Sequence, residues 1–171
     1  MILSVVMHGD YVHGDTPARI DKIVTDLMGT LDSGNPWQDF RFGENASLYF
    51  ATEPLTADTF AEPPFTWTAT HELVVAINRE SGFGALRWDT DWVTINPDPQ
   101  ADPAVVGDPH VPTWFHPRHS LPLADVEAAV REYCRSDGTR PASVEWGQVG
   151  SDPARIFLST EDYQASATRP R

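Results

Sequence analysis

The chain has 171 residues, 40% of them hydrophobic, with 15 prolines, 11 glycines and one cysteine, a globular composition rich in turns. Its 25 acidic against 12 basic side chains give a net charge of −13, which repels nucleic-acid backbones and anionic lipid and attracts basic proteins. The length predicts a single domain over 1–171, and Cys134, alone, excludes an intramolecular disulfide and a cysteine-based zinc site.

The apolar opening MILSVVM lacks a basic flank and is too short for a signal core or a membrane span, so a cytoplasmic protein is expected. Residues Ile2 to Met7 are β-branched and apolar enough for a buried strand. HGDYVHGD follows, repeating His-Gly-Asp between His8 and Asp15. Residues of the types of His8, Asp10, His13 and Asp15 build hydrolytic metal centres. The same types also tolerate turns, and a place between strand and helix, with Asp15 beside the helix N-terminus, favours the turn. Thr16 and Pro17 then form an N-cap and first helical position, and Ile20, Ile23, Val24, Leu27, Met28 and Leu31 recur at helical spacing. Ser33, Gly34, Asn35 and Pro36 signal its stop.

From about Arg41 the pattern turns to strands, around Leu48 and Phe50, then from His71 to Asn78, then from Gly84 to Asn96. The last reads as a hairpin turning at Asp89, Thr90 and Asp91, with Trp88 and Trp92 facing across it. Between the first two of these strands, Pro54, Pro63 and Pro64 predict a loop that covers a sheet face with Phe60 and Phe65. Prolines from Pro97 to Pro122 predict an extended, irregular segment wrapping the core through Trp114 and Phe115. A second helix spans about Pro122 to Arg135, burying Val126, Ala129, Val130, Tyr133 and Cys134 and ending before Gly138. Ala142 to Gly147 and Arg155 to Ser159 read as short strands, and about 160–171 as a frayed tail. These elements predict an α+β fold, a mainly antiparallel sheet with two amphipathic helices.

The common catalytic patterns fail on single positions. Arg87 replaces the third glycine of a nucleotide loop begun by Gly82 and Gly84, and Val75 stands where an H-E-x-x-H begun by His71 needs its second histidine. No G-x-S-x-G occurs, Cys134 reads as core, and His110, His116 and His119 near Asp108 are scattered through the proline-rich segment. No catalytic residue, cofactor or metal is expected. The competing reading is a small metal-dependent hydrolase built on His8 to Asp15.

Three segments carry a further signal: HELVVAINRESGFGALRWDTDWVTINPDP, VVGDPHVPTWFHPRHSLPLADVEAAVREYC and GTRPASVEW. Their succession of Gly82, Phe83, Gly84, Trp88, Trp92, Asn96, Pro97, Asp108, Phe115, Pro117, Leu121, Pro122, Arg140, Pro141 and Trp146 resembles the Imm1 family of immunity proteins from bacterial polymorphic toxin systems. The resemblance implies no enzyme activity and a cognate protein toxin as partner, a deaminase-fold domain acting on nucleic acid being the expected type. The net charge of −13 disfavours direct binding of nucleic acid or membrane, and the chain is expected to be monomeric before it meets the toxin. An interaction domain without a toxin is the other alternative. The expected contact surface is a ridge of Glu80, Phe83, Asp89, Asp91, Trp92, Asp98, Asp102 and Asp108, which joins acidic groups to aromatic ones.

Overall fold

The computed structural model describes residues 1–7, 9–33, 45–60, 71–99, 103–108, 113–149, 157–158 and 161. Ile2–Met7 forms strand β1, and Asp10–Gly14 forms β2, paired antiparallel to it from Met7 opposite Asp10 to Leu3 opposite Gly14. Asp10–Gly14, the larger part of the doubled His-Gly-Asp stretch, is thus one arm of a hairpin rather than a turn. Gly9, at φ +76°, lies in its bend. Edge position explains the turn-like composition: β2 ends the sheet, so its exposed positions carry Asp10 and Val12 without cost to the core. Gly14 serves packing, since a Cβ there would sit 3.0 Å from Ile20 Cγ1 and Ile23 Cδ1.

Helix α1 runs Pro17–Thr30, with Thr16 in extended geometry accepting a hydrogen bond from the Arg19 amide, as the capping signal predicts. It ends earlier than expected, at Thr30, where the Leu31 amide bonds to Leu27 O. Ser33 instead bridges to the sheet: its amide donates to Ile77 O at 2.7 Å and its hydroxyl accepts from the Ile77 amide at 3.0 Å. Gly34, Asn35, Pro36 and Arg41 lie outside the described residues.

Strands β3 (Ala46–Ala51), β4 (Leu73–Asn78), β5 (Phe83–Trp88) and β6 (Trp92–Ile95) follow, with a 3-10 turn at Ala57–Phe60 after β3. The covering side chains expected of Phe60 and Phe65, and the positions of Pro63 and Pro64, are outside the description. Leu55 does cover a face, packing with Tyr49, Ala51 and Val6.

The proline-rich segment is more ordered than its composition predicts. It holds β7 (Val106–Asp108), β8 (Thr113–Phe115), a 3-10 turn at Pro117–His119 and β9 (Leu121–Pro122). Short strands fit between prolines because proline lacks only one ladder donor and keeps an extended φ. Trp114 and Phe115 are buried, as a wrapping segment requires. Helix α2, Leu123–Arg135, buries the five residues expected of it; it starts one residue after Pro122. Strand β10 is Glu145–Gln148 and β11 is Phe157–Leu158; the tail apart from Glu161 is outside the description.

Among the described residues these strands build an eight-stranded sheet, β10-β6-β5-β4-β3-β1-β2 with β9 also on β5, and a three-stranded sheet, β11-β8-β7. Every pairing is antiparallel. The fold is α+β, as the order of elements predicts. Both helices pack on one face, over Leu3, Leu48, Phe50, Val75 and Leu86, with Tyr133 at 0% exposure among them. Ala76, Ala85 and Val93 on the other face meet Val105 and Phe115 from the small sheet's side of the molecule. No described helix is long and apolar enough to cross a membrane.

Candidate interaction surface

The β5–β6 turn is fixed by Asp89, which sits at φ 51°. One carboxylate oxygen accepts from the Glu72 amide at 2.9 Å, the other lies 2.6 Å from His71 Nδ1, and the Asp89 amide donates to Glu72 O. A left-handed aspartate is tolerated where its short side chain bonds locally. The turn closes the register that puts Trp88 opposite Trp92, as expected of the hairpin, and the His71 ring lies 4.1 Å from that of Trp88.

Over this aromatic pair lies Arg140, its guanidinium carbon 3.8 Å from the Trp92 ring centre and 5.4 Å from that of Trp88. A cation on an indole face is held by the ring quadrupole, worth ~0.5–2 kcal/mol according to exposure. The segment carrying Arg140 is pinned on both sides. Asp137 and Gly138 turn the chain after α2 at φ 50° and 94°, with the Gly138 amide on Tyr133 O. The Glu132 carboxylate accepts from the Ala142 and Ser143 amides at 2.8 and 2.9 Å, and Trp146 Nε1 donates to Pro141 O at 2.7 Å. Hydrogen bonds from the Ser143 side chain and the Ala142 amide hold the Glu132 carboxyl below the usual range. Beneath the surface, the Tyr49 hydroxyl donates to Glu72 at 2.6 Å; burial and that bond raise its pKa.

The expected ridge is divided by the strand it was drawn along. Phe83 pairs with Asn78 at one end of β5, Trp88 with Leu73 and Trp92 at the other, and six extended residues separate the ends by roughly 17 Å. Asp89, Asp91 and Trp92 therefore share the hairpin end. Glu80 and Phe83 share the opposite end, as does Asp98, which follows the far end of β6. Phe83 packs into the second apolar cluster beside Phe115. Asp108 closes β7 in the small sheet, whose Gly107 carbonyl accepts from Asn45, and Asp102 lies outside the described residues. Arg140 was not expected here: it is 48 positions from Trp92, and its only sequence signal is the Arg-Pro preceding Trp146.

The groups considered for metal chemistry are dispersed. Asp10 and His13 fall on opposite faces of β2, His13 Nδ1 meets Ser4 Oγ at 3.2 Å, and Asp15 pairs with Arg19. His119 is buried, its Nδ1 2.9 Å from Thr94 O, and His116 Nδ1 accepts from the Arg118 amide. Among the described residues no group of three or more His, Cys, Asp or Glu could hold a metal; His8 and His110 lie outside them. Burial pushes the Cys134 thiol up to about 12, which keeps it protonated and poorly nucleophilic at neutral pH. A groove of about 580 Å³ lies between the helices beside Ile20, Val24 and Cys134, crossed by Arg131 reaching from α2 to Asp21 of α1.

A family model described as Immunity protein Imm1 matches residues 8–148, which takes in every element from β2 to β10. No curated protein matches the chain significantly.

Proposed function

Because the chain belongs to the Imm1 immunity protein family, we propose that it binds a cognate bacterial toxin domain and neutralises it stoichiometrically through the hairpin end carrying Asp91, Trp92 and Arg140. The toxin is a deaminase-fold domain acting on nucleic acid, and the bound immunity protein covers its active face. The activity is binding rather than catalysis, in the cytoplasm, by a chain that is monomeric until it meets the toxin.

The observation that carries this reading is the Arg140–Trp92 stack at the end of a strongly acidic molecule. Arginine and tryptophan are the residues most enriched where interfaces concentrate their energy, and a loop pinned in advance loses little entropy on docking. A toxin that handles nucleic acid presents a basic groove, to which a charge of −13 is drawn over long range, with association at ~10⁸–10⁹ M⁻¹s⁻¹ when steering is strong. Fast capture has a purpose where toxin and target share one compartment. The opposite end, with Glu80 and Asp98, adds to the long-range field without direct contact.

The reading requires the gene beside this one to encode a protein with a toxic C-terminal domain, and the test is a purified mixture of that domain with this protein. A one-to-one complex in which the domain's activity on nucleic acid disappears is the expected result. Absence of a complex, or a complex that leaves that activity intact, overturns the proposal.

A further inference from the structure

We infer that Arg140 is a docking fork for a carboxylate of the bound toxin, so that one acidic group of the partner inserts among acidic residues of this protein. The inference rests on the toxin-binding reading above and names the chemistry of its central contact.

The guanidinium carbon lies over the Trp92 ring at 3.8 Å from its centre, and a guanidinium that meets an aromatic ring by its flat face keeps its in-plane N–H groups for other partners. Nothing within the described residues uses them. Arg19 pairs with Asp15, Arg131 with Asp21 and Glu127, and Arg79 donates to Met28 O, whereas Arg140 has no hydrogen bond or ion pair of its own. The nearest acids of the hairpin are arranged otherwise. Both oxygens of Asp89 are engaged by the Glu72 amide and His71, and Asp91 Oδ1 accepts from the Thr90 hydroxyl.

The fork is also held still. Glu132 grips the chain two and three residues after Arg140, and Trp146 grips Pro141. Arg140 is already half-buried on the indole pair, and a partner covering it would strip the remaining water from an unneutralised charge. Such a burial is unfavourable unless an anion meets the guanidinium, and a planar carboxylate matches two parallel N–H groups. A carbonyl would leave the charge uncompensated. A basic toxin face is attracted to this surface as a whole; the single acid within that face fixes the register and excludes basic proteins that lack it.

The experiment measures binding of the adjoining gene's toxin domain to the intact protein and to Arg140→Lys, Arg140→Met and, as a control on the exposed helix end, Arg135→Lys, with near-ultraviolet circular dichroism reporting the tryptophan environment. Wild-type binding establishes the underlying reading independently. Arg140→Lys keeps charge without the fork, and Arg140→Met keeps the apolar cover. Both are expected to raise Kd about thirtyfold or more, mainly through faster dissociation, while Arg135→Lys changes it little. Tight wild-type binding with an unaltered Arg140→Lys complex overturns the fork and leaves the toxin reading standing.

A second arm replaces each Asp and Glu of the toxin domain by its amide and, separately, extends that domain by one C-terminal residue. Loss of coupling with Arg140→Lys on one side-chain replacement identifies a side-chain carboxylate; loss on extension identifies the chain terminus. No coupling in either set overturns the inference.

Discussion

The Tyr133 hydroxyl lies 2.6 Å from the carbonyl oxygen of His71 and 2.9 Å from that of Leu48, joining the middle of the core to the backbone that carries the hairpin end. Tyr133 is fully buried, with Phe50 against its ring. Replacing it by Phe removes the one O–H donor shared by these two carbonyls, the first inside β3 and the second just before β4, at little change in volume. The expected loss is about 1–2 kcal/mol of stability, a fall in Tm of roughly 2–8 °C, read by thermal unfolding.

Gly84 meets a different constraint. A Cβ there would lie 2.6 Å from Ala76 O and 3.3 Å from Val126 Cγ2, so α2 approaches β5 closely because the side chain is absent. Gly84→Ala is expected to destabilise by about 1–3 kcal/mol, whereas the same change at the open helical position Gly29 stabilises by up to about 1 kcal/mol. Denaturant midpoints of the two variants check the contrast.

The two acids of the hairpin turn separate in role. Asp89→Ala removes the acceptor for Glu72 and His71 and is expected to lower stability by about 1–2 kcal/mol. Asp91→Lys changes an exposed side chain, leaving Tm nearly unaltered and slowing toxin association several-fold at low salt, a difference that fades as salt screens it. Thermal melts and stopped-flow association measure the two effects separately.

Glu132 makes the Arg140 loop acid-sensitive. Its folded pKa is depressed, so its contribution is complete above the ordinary value of 4.5 and is lost as pH falls through the lower folded value. Glu132→Gln should therefore weaken the wild-type protein's stability at neutral pH by about 1 kcal/mol and flatten that part of the acid limb. Unfolding free energies between neutral pH and the acid limb test the sign: a stability difference that grows as pH falls contradicts it.

The order of elements was legible because α1 and α2 each bury one face at helical spacing, while β1 and the β5–β6 hairpin are short apolar, β-branched or aromatic runs bounded by turn residues. β2 was not, because an edge strand tolerates Asp, His and Gly, and Asp10 to Gly14 then resembles a turn. Asp89, Asp91 and Trp92 were read as neighbours correctly since a tight turn is local. That Glu80, Phe83 and Asp98 lie the length of β5 away from them was not legible, because strand register is set by tertiary pairing. Arg140 was legible only as part of an Arg-Pro element: its contact with Trp92 is made by tertiary packing, and nothing local in either segment encodes it.

The most direct test of the central claim is the Kd for the adjoining toxin domain of two variants, Trp92→Ala at the hairpin end and the pair Glu80→Lys, Asp98→Lys at the other. The account predicts that Trp92→Ala raises Kd about thirtyfold or more with the fold retained, while the paired reversal slows association and leaves dissociation unchanged. Unaltered dissociation in Trp92→Ala together with accelerated dissociation in the paired reversal would place the contact at the opposite end and contradict it.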